Sequence, residues 1–199
     1  SGVWLSKICP EHGEQRAITS SNVEEYLNAR KFFTQGSLQF SFPVKMEKGC
    51  PFSCGLCPEH EQHICTPIIE ITDHCDLACP ICLVKNRSSY HLERKQVAKI
   101  LDGLIESEGQ IDVINLSGGE PTLNPNFREI VDECLSRKNI LRVSVSTNGL
   151  NLAKDENLFR YLGENNVIVS LQFDGFDENA CVSLRGRSIL KEKLALIEK

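Results

Sequence analysis

The pattern of hydrophobic and polar positions divides the chain near Pro67. Beyond that residue, short apolar runs that end in polar or glycine-rich turns alternate with segments of helical period. The runs predict strands over 68–72, 113–116, 143–146 and 167–173. The amphipathic segments predict helices over 96–108, from an Asn124–Pro125 start through 135, over 155–162 and over 188–199. Four successive βα units predict an α/β fold whose parallel sheet curves into part of a barrel.

Side-chain periodicity also predicts which faces are buried. In the first helix of this region the apolar face is formed by Val97, Ile100, Leu101, Leu104 and Ile105. In the last helix we expect Leu190, Leu194 and Ile197 to point inward. The fourth strand is expected to place Val167, Val169 and Leu171 on one face and Ser170 and Gln172 on the other.

The first 66 residues have a different texture, rich in turns and cysteines. A short strand over 3–5 leads to Cys9, and one helix follows a cap at Ser21 or Asn22. Such a region buries little apolar surface by itself, so we expect a metal to hold it together. The sequence therefore predicts a metal-binding prefix over 1–66 and an α/β core over 67–199.

Composition narrows the protein class. Hydrophobic residues make up 41% and charged residues 25% of the 199 positions, which is ordinary for a soluble globular protein. There is no apolar run of ~18 residues and no signal-peptide pattern, so a cytoplasmic location without a transmembrane segment is expected. A net charge of −5 argues against nucleic acid as a partner. In that setting the ten cysteines are interpreted as metal ligands rather than disulfides.

Two C-x3-C-x2-C triplets are present, and they occupy different contexts. The second, Cys75/Cys79/Cys82, directly follows an apolar strand, and the turn Gly118-Gly119-Glu120-Pro121 ends the next strand. Ligands of parallel α/β sheets bind at the carboxyl ends of the strands, where both motifs fall. Three thiolates hold three corners of a cubic iron–sulfur cluster and leave the fourth iron open to a reactive ligand.

The first triplet lies in the prefix and has a fourth cysteine nearby. Cys50, Cys54, Cys57 and Cys65 make a closed four-thiolate set that suits either zinc or an iron–sulfur cluster. Cys9 and His12 form one knuckle of a zinc ribbon, whose other half is either the Cys54/Cys57 knuckle or a segment upstream of the chain. We favour the self-contained four-cysteine site.

The second triplet and the Gly-Gly-Glu-Pro turn together resemble the radical S-adenosylmethionine (SAM) superfamily. The resemblance implies a four-iron four-sulfur cluster on Cys75, Cys79 and Cys82 whose open iron binds SAM. It also implies a cofactor pocket. Its expected members are Gly118, Gly119, Glu120 and Pro121 at the methionine ammonium, Ser146 and Asn148 near the ribose, Gln172 and Asp174 facing the barrel interior, Arg185 at the carboxylate, and Ile81 against the adenine. Many relatives have an aromatic residue where Ile81 stands.

The order of the prefix and core motifs resembles one branch, that of tetraether lipid synthases and class D radical SAM methylases acting on pterin. The branch implies reductive SAM cleavage and hydrogen abstraction from an unreactive C–H bond, for methyl transfer or carbon–carbon bond formation. It also implies a small-molecule or lipid substrate and an electron donor such as ferredoxin or flavodoxin. No catalytic side chain is assigned.

Superfamily cores close with six βα units, so the four found here predict a fragment of a longer protein. A non-catalytic zinc or iron–sulfur module is the alternative.

Overall fold

The computed structural model describes residues 2–32, 38–53, 55, 57–59, 63–83 and 90–199. These belong to two compact units, residues 1–37 and residues 38–199. In the first unit, β1 (Val3–Cys9) pairs antiparallel with β2 (Gly13–Ser20), and α1 (Val23–Ala29) follows. Asn22 caps α1 by accepting a hydrogen bond from the Glu25 backbone. The sequence does not predict β2, because its mostly exposed residues lack a buried apolar face.

The second unit contains a four-stranded parallel sheet in the order β3–β4–β5–β6. The strands are β3 (Ile68–Thr72), β4 (Ile114–Gly118), β5 (Val143–Thr147) and β6 (Ile168–Leu171). The helices are α2 (Arg94–Glu108), α3 (Phe127–Leu135), α4 (Leu150–Lys154), α5 (Glu156–Glu164), α6 (Glu178–Arg185) and α7 (Leu190–Ile197). The α/β class and the partial barrel of four βα units are confirmed.

Two helix boundaries differ from the prediction for identifiable reasons. The Asn124–Pro125 start is wrong. A 3-10 turn occupies Pro121–Leu123, and α3 begins only at Phe127. Asn124 is instead buried, and its side-chain amide donates to the Ile71 and Leu92 carbonyls. The predicted helix over 155–162 corresponds to α5, and a short helix that was not predicted, α4, precedes it. Asp155 ends α4 and caps α5 by accepting a hydrogen bond from Leu158 N.

The hydrophobic core lies between the sheet and helices α2, α3 and α5. Apolar side chains of the central strands are fully buried there, Leu116 and Val145 among them. Helix α2 contributes Val97 and Leu101, as its periodicity predicts, whereas the predicted inward position of Ile100 is wrong because that residue is exposed. A second apolar cluster packs around Leu77, Cys181 and Ile189, between the 73–83 loop and the α6–α7 corner. That cluster positions the loop carrying the second triplet.

Strand β6 is the edge strand at one end of the described sheet. Its predicted apolar face is not fully covered, since Val169 is 37% exposed. On α7 the predicted inward Ile197 is wrong, because this residue is 55% exposed. Leu190 is buried as predicted and Leu194 is partly buried, while Lys193 and Leu196 complete the buried face of α7.

Described parts of the segment 38–66 pack against the end of α2. Phe40 N donates to the Ser107 carbonyl at 2.7 Å, and Ile64 N donates to Glu108 Oε2 at 3.0 Å. Glu108 is buried and accepts a second hydrogen bond from the Ser107 hydroxyl. The predicted boundary between prefix and core at 66/67 stays a prediction. Among the described residues, no helix is long and apolar enough to cross a membrane.

Candidate active site

A cavity of about 310 Å³ lies at the carboxyl ends of the parallel strands. Its lining combines three thiols, small or polar strand ends and two leucines: Cys75, Leu77, Cys79, Cys82, Ser117, Gly118, Gly119, Ser146, Thr147, Asn148, Ser170, Leu171, Gln172 and Arg185. This is where a parallel sheet binds its ligands, because strand ends and the loops after them converge there.

The three thiols of the second triplet share this cavity. Cys75 and Cys79 are half-buried, and Cys82 is exposed. Burial raises the pKa of the Cys75 thiol, and the negative charges of Asp76 and Glu120 add to that effect. No three metal-binding side chains among the described residues converge on a single ion. In a cubic cluster each thiolate binds a different iron, so three thiols around one cavity fit that group better than a single metal.

Backbone hydrogen bonds fix the start of the 73–83 loop to the end of β4. Gly119 N donates to the Thr72 carbonyl at 2.8 Å, and Glu120 N donates to the His74 carbonyl at 2.7 Å. This approach requires glycine, since a Cβ on Gly118 would lie 2.0 Å from the Thr72 oxygen and one on Gly119 2.3 Å from the His74 oxygen. Gly118 also has a φ of +129°, which L side chains rarely adopt. The Gly-Gly pair therefore sets the distance between the cysteine loop and the sheet.

The Glu120 carboxylate is fully buried and bonded to the chain's own donors. Its Oε1 accepts hydrogen bonds from Thr122 N, Thr122 Oγ1 and Thr147 Oγ1, and its Oε2 accepts one from Asn148 N at 2.7 Å. Burial raises the pKa of Glu120, and these hydrogen bonds partly oppose the shift. The carboxylate thus ties the β4 turn to the end of β5, and its expected contact with a ligand ammonium stays a prediction.

Asn148 connects the end of β5 to the cysteine loop. Its Nδ2 donates to Asp76 Oδ1 at 2.7 Å, and its Oδ1 accepts from Leu150 N at 2.9 Å. Because Asp76 directly follows Cys75, this contact gives the cysteine loop a second attachment, to the end of β5. Ser146 lies beside it with its hydroxyl 3.0 Å from Asn115 Nδ2.

A polar network borders the cavity beyond β6. Arg185 forms a bidentate ion pair with Asp174, with Nε donating to Oδ2 at 2.7 Å. Gln172 Nε2 donates to the same carboxylate. Arg185 holds the pKa of Asp174 below its usual range, while Asp174 first and the Cys79 thiol further raise the pKa of Arg185. The guanidinium therefore stands charged beside the cysteine triplet.

The structure separates the predicted pocket residues into two groups. Gly118, Gly119, Ser146, Asn148, Gln172 and Arg185 line the cavity together with the three cysteines, whereas four other described residues lie outside its lining: Ile81, Glu120, Pro121 and Asp174. Ile81 is 51% exposed, and Pro121 is buried at the start of the 3-10 turn.

Ser117, Leu77 and Leu171 are lining residues that were not predicted. Strand alternation assigns Leu171 to the face opposite Ser170 and Gln172, yet all three residues line the cavity. Strand alternation places Ser117 on the opposite face from Leu116, a signal that was available in the sequence.

The predicted prefix ligands are less fully placed. Cys57 is buried, Cys50 and Cys65 are exposed, and Cys54 lies outside the described residues. Cys65 follows Ile64, whose backbone is held by buried Glu108. The four-cysteine site stays a prediction.

In the N-terminal unit Cys9 and His12 lie at the β1–β2 turn, where Cys9 Sγ is 3.2 Å from His12 Nδ1. This separation suits two ligands of one tetrahedral metal.

Comparison with protein families identifies residues 69–199 as a match to the family described as the Radical SAM superfamily. The similar proteins include the 7,8-dihydro-6-hydroxymethylpterin dimethyltransferase of Methanocaldococcus jannaschii, 32% identical over 98% of this chain and 39% of that protein. The GTP 3',8-cyclase of Synechocystis is 29% identical over 80% of this chain and 48% of that protein. The chain thus spans less than half the length of these relatives.

Solved structures with a similar fold include the Streptococcus suis protein SuiB bound to S-adenosylmethionine. It superposes with a TM-score of 0.54 at 19% identity, covering 66% of this chain and 28% of that one. The protein anSMEcpe with bound AdoMet gives a TM-score of 0.53 at 23% identity, covering 66% of this chain and 39% of that one. At these identities the likeness concerns the fold.

Proposed function

The chain belongs to the radical SAM superfamily, and on that premise we propose that it cleaves SAM reductively in the cavity described above. The 5'-deoxyadenosyl radical formed in this cleavage then removes a hydrogen atom from an unreactive C–H bond of the substrate. The observation that carries this proposal is the position of Cys75, Cys79 and Cys82 around one cavity at the strand ends. The Gly-Gly turn, which brings bare backbone to the same place, supports it further.

The three thiolates would each hold one iron of a four-iron four-sulfur cluster and leave the fourth iron for SAM. When bound, the cluster would supply the one electron with which SAM is cleaved at a carbon–sulfur bond to methionine and a 5'-deoxyadenosyl radical. The chain's own residues would bind SAM and orient it. Arg185 offers a charged fork to a carboxylate, and the Ser146 hydroxyl offers a polar contact to a ribose. Leu77 and Leu171 keep water away from the reacting atoms.

The electron has to come from outside the chain. We propose a small redox protein such as ferredoxin or flavodoxin as the donor. We propose that it approaches on the side of the cavity where Cys82 is exposed.

For the reaction we propose methyl transfer to a small heterocycle as the first candidate and carbon–carbon bond formation as the second. The pterin dimethyltransferase supports the first, because its similarity covers 98% of this chain and so extends over the cysteine-rich prefix. We further propose that Cys50, Cys54, Cys57 and Cys65 hold a second metal centre, zinc or iron–sulfur, and that Cys9 and His12 contribute to metal binding.

Anaerobic reconstitution followed by incubation with SAM and dithionite tests the main proposal. We expect iron and sulfide for at least one four-iron cluster, a spectroscopic shift on SAM addition, and formation of 5'-deoxyadenosine. Cys79→Ala should retain the fold, bind one cluster's worth less iron and sulfide than the wild type, and lose both the SAM-induced shift and 5'-deoxyadenosine formation, since two thiolates do not hold the open cluster. Cys134→Ala is the matched control, because Cys134 is buried in the core away from the cavity.

Retained 5'-deoxyadenosine formation by Cys79→Ala would refute the cluster assignment. A zinc-only protein without any SAM response would instead favour a non-catalytic metal-binding module. In Cys54→Ala we expect lower stability of the prefix with SAM binding retained. Loss of SAM binding in that variant would mean that the roles of the two triplets are exchanged.

A further inference from the structure

We propose that Lys193 is a positioning residue for SAM. Its buried ammonium group orients Gln172, which orients Asp174 and thereby places the Arg185 guanidinium at the cavity. This inference rests on the proposed function, and it adds a residue that does not itself line the cavity.

The burial of Lys193 is unusual for its residue type. Its side chain projects from α7 and is only 2% exposed. Removing an ammonium group from water is strongly unfavourable unless polar partners replace the solvent. Here Gln172 replaces it with two acceptors, since Lys193 Nζ donates to the Gln172 carbonyl oxygen and to Gln172 Oε1. Both the backbone and the side chain of Gln172 are therefore fixed by one cation.

This cation determines which way the Gln172 amide points. With Oε1 turned to Lys193 Nζ at 2.7 Å, Nε2 faces Asp174 Oδ2 and donates to it. The flipped amide would place its NH2 group against the ammonium and its oxygen against the carboxylate, so two attractive contacts would become two repulsive ones. Lys193 thus selects the single orientation in which Gln172 supports Asp174.

Asp174 transmits this order to the cavity. Both of its oxygens are engaged by Arg185, and Oδ2 is shared with Gln172. A bidentate guanidinium–carboxylate pair fixes the plane of the guanidinium as well as its distance. Arg185 lines the cavity together with Cys79, whereas Asp174 and Lys193 are not part of its lining. The network therefore presents one pre-oriented cation to a ligand carboxylate.

Replacement of Lys193 by methionine tests the inference, since it keeps an unbranched side chain as far as Cε and removes the ammonium group. The matched control is Lys191→Met, at an exposed position of the same helix. The measurements are the Kd for SAM by anaerobic titration calorimetry of the reconstituted protein, the thermal midpoint, and KM and kcat for 5'-deoxyadenosine formation. We expect Lys193→Met to raise the Kd and KM for SAM about tenfold, the scale of one charge-assisted hydrogen bond. At saturating SAM, kcat should change by less than about threefold, because the reacting groups are untouched.

A double-mutant cycle with Arg185→Lys distinguishes positioning from general support of the fold. A lysine cannot form the bidentate pair, so in the Arg185→Lys background we expect Lys193→Met to change the Kd for SAM less than about twofold. An unchanged Kd in the single variant, or the same fold-change in both backgrounds, would overturn the inference. If the wild-type protein binds no SAM at all, the proposed function fails rather than the role of Lys193.

A second variant covers the case in which Lys193→Met does not fold. Gln172→Leu combined with Lys193→Met replaces both interacting side chains by apolar ones, so that no buried Gln172 amide is left without its lysine partner. The double variant should fold and show at least the same rise in Kd. A Kd equal to that of the wild type in this variant would also overturn the inference.

Discussion

Replacement of Glu120 by glutamine measures how much the buried Glu120 carboxylate contributes to the stability of the site through its hydrogen bonds within the chain. The side chain is fully buried and accepts four hydrogen bonds, three at Oε1 and one at Oε2. Glutamine has the same shape but only one acceptor oxygen. That oxygen is expected to keep the three-donor position, so the new NH2 group faces the Asn148 N–H.

The structure gives the magnitude of this change. The variant loses one short hydrogen bond to a charged acceptor and gains buried N–H groups that face another donor. Losses of this kind cost about 1.5–3 kcal/mol for the charged hydrogen bond and about 1–3 kcal/mol for the unsatisfied group. Removal of a buried charge offsets part of the sum. We expect the free energy of unfolding to fall by about 3 kcal/mol at neutral pH.

The pH dependence has a definite sign. Burial raises the pKa of Glu120 in the folded protein, so the folded state binds its proton more tightly than the unfolded state. This contribution to stability is fully present below the unfolded-state pKa of about 4.3 and is lost as the pH rises through the folded-state value. The advantage of the wild type over Glu120→Gln should therefore be larger at pH 4 than at pH 7.

Urea unfolding of the metal-free, reduced chain, followed by far-ultraviolet circular dichroism at several pH values, measures this difference. Glu164→Gln, at an exposed position near the end of α5, is the control and should match the wild type. If Glu120→Gln were as stable as the wild type within about 0.5 kcal/mol, Glu120 would not join the β4 turn to β5. An advantage that grew with rising pH would refute the sign assigned to the pKa of Glu120.

Two further substitutions test the framework around the site. Gly119→Ala places a Cβ 2.3 Å from the His74 carbonyl oxygen and should lower the iron and sulfide retained after reconstitution. The control is Gly163→Ala, which has open space around its Cβ in α5 and should raise the free energy of unfolding by about 0.5–1 kcal/mol. Equal iron content in the two variants would contradict this prediction. Glu133→Gln should lose about 1 kcal/mol at neutral pH, since two arginines hold the pKa of Glu133 below its usual value. The difference in stability between wild type and Glu133→Gln should have its full size above about pH 4.3 and disappear as the pH falls through the folded-state pKa of Glu133. Glu129→Gln is the control. A difference that did not vary with pH would count against the ion pairs.

The sequence is sufficient to predict the sheet because each strand has a local signal. Ile68 to Thr72 is an apolar run bounded by turn residues, and the observed strand has the same limits. The position of the site was also predictable, since Cys75 and Gly118 each follow a strand end and parallel strands bring such ends together. Both inferences depend only on local pattern and on a general rule of parallel sheets.

The fine structure of the site was not predictable, because it depends on long-range partners. Asn124 has the sequence context of a helix cap, yet its amide is used by the backbones of two distant segments. The periodicity of α7 suggests an apolar residue at its buried face, and the structure places Lys193 there because Gln172, 21 positions away, supplies acceptors. No signal in the neighbouring sequence reports such a pairing.

The loop that carries the second cysteine triplet is held by three sets of contacts with other segments of the chain. The Gly-Gly turn of β4 holds its first residues, Asn148 of β5 holds Asp76, and the apolar cluster at the α6–α7 corner covers Leu77. A loop with few backbone hydrogen bonds of its own would otherwise sample many arrangements of its thiols, each at an entropic cost on metal binding. Fixing it from neighbouring strands pays that cost during folding. The sheet therefore does more than support the cavity, because it orders the part of the loop that carries Cys75.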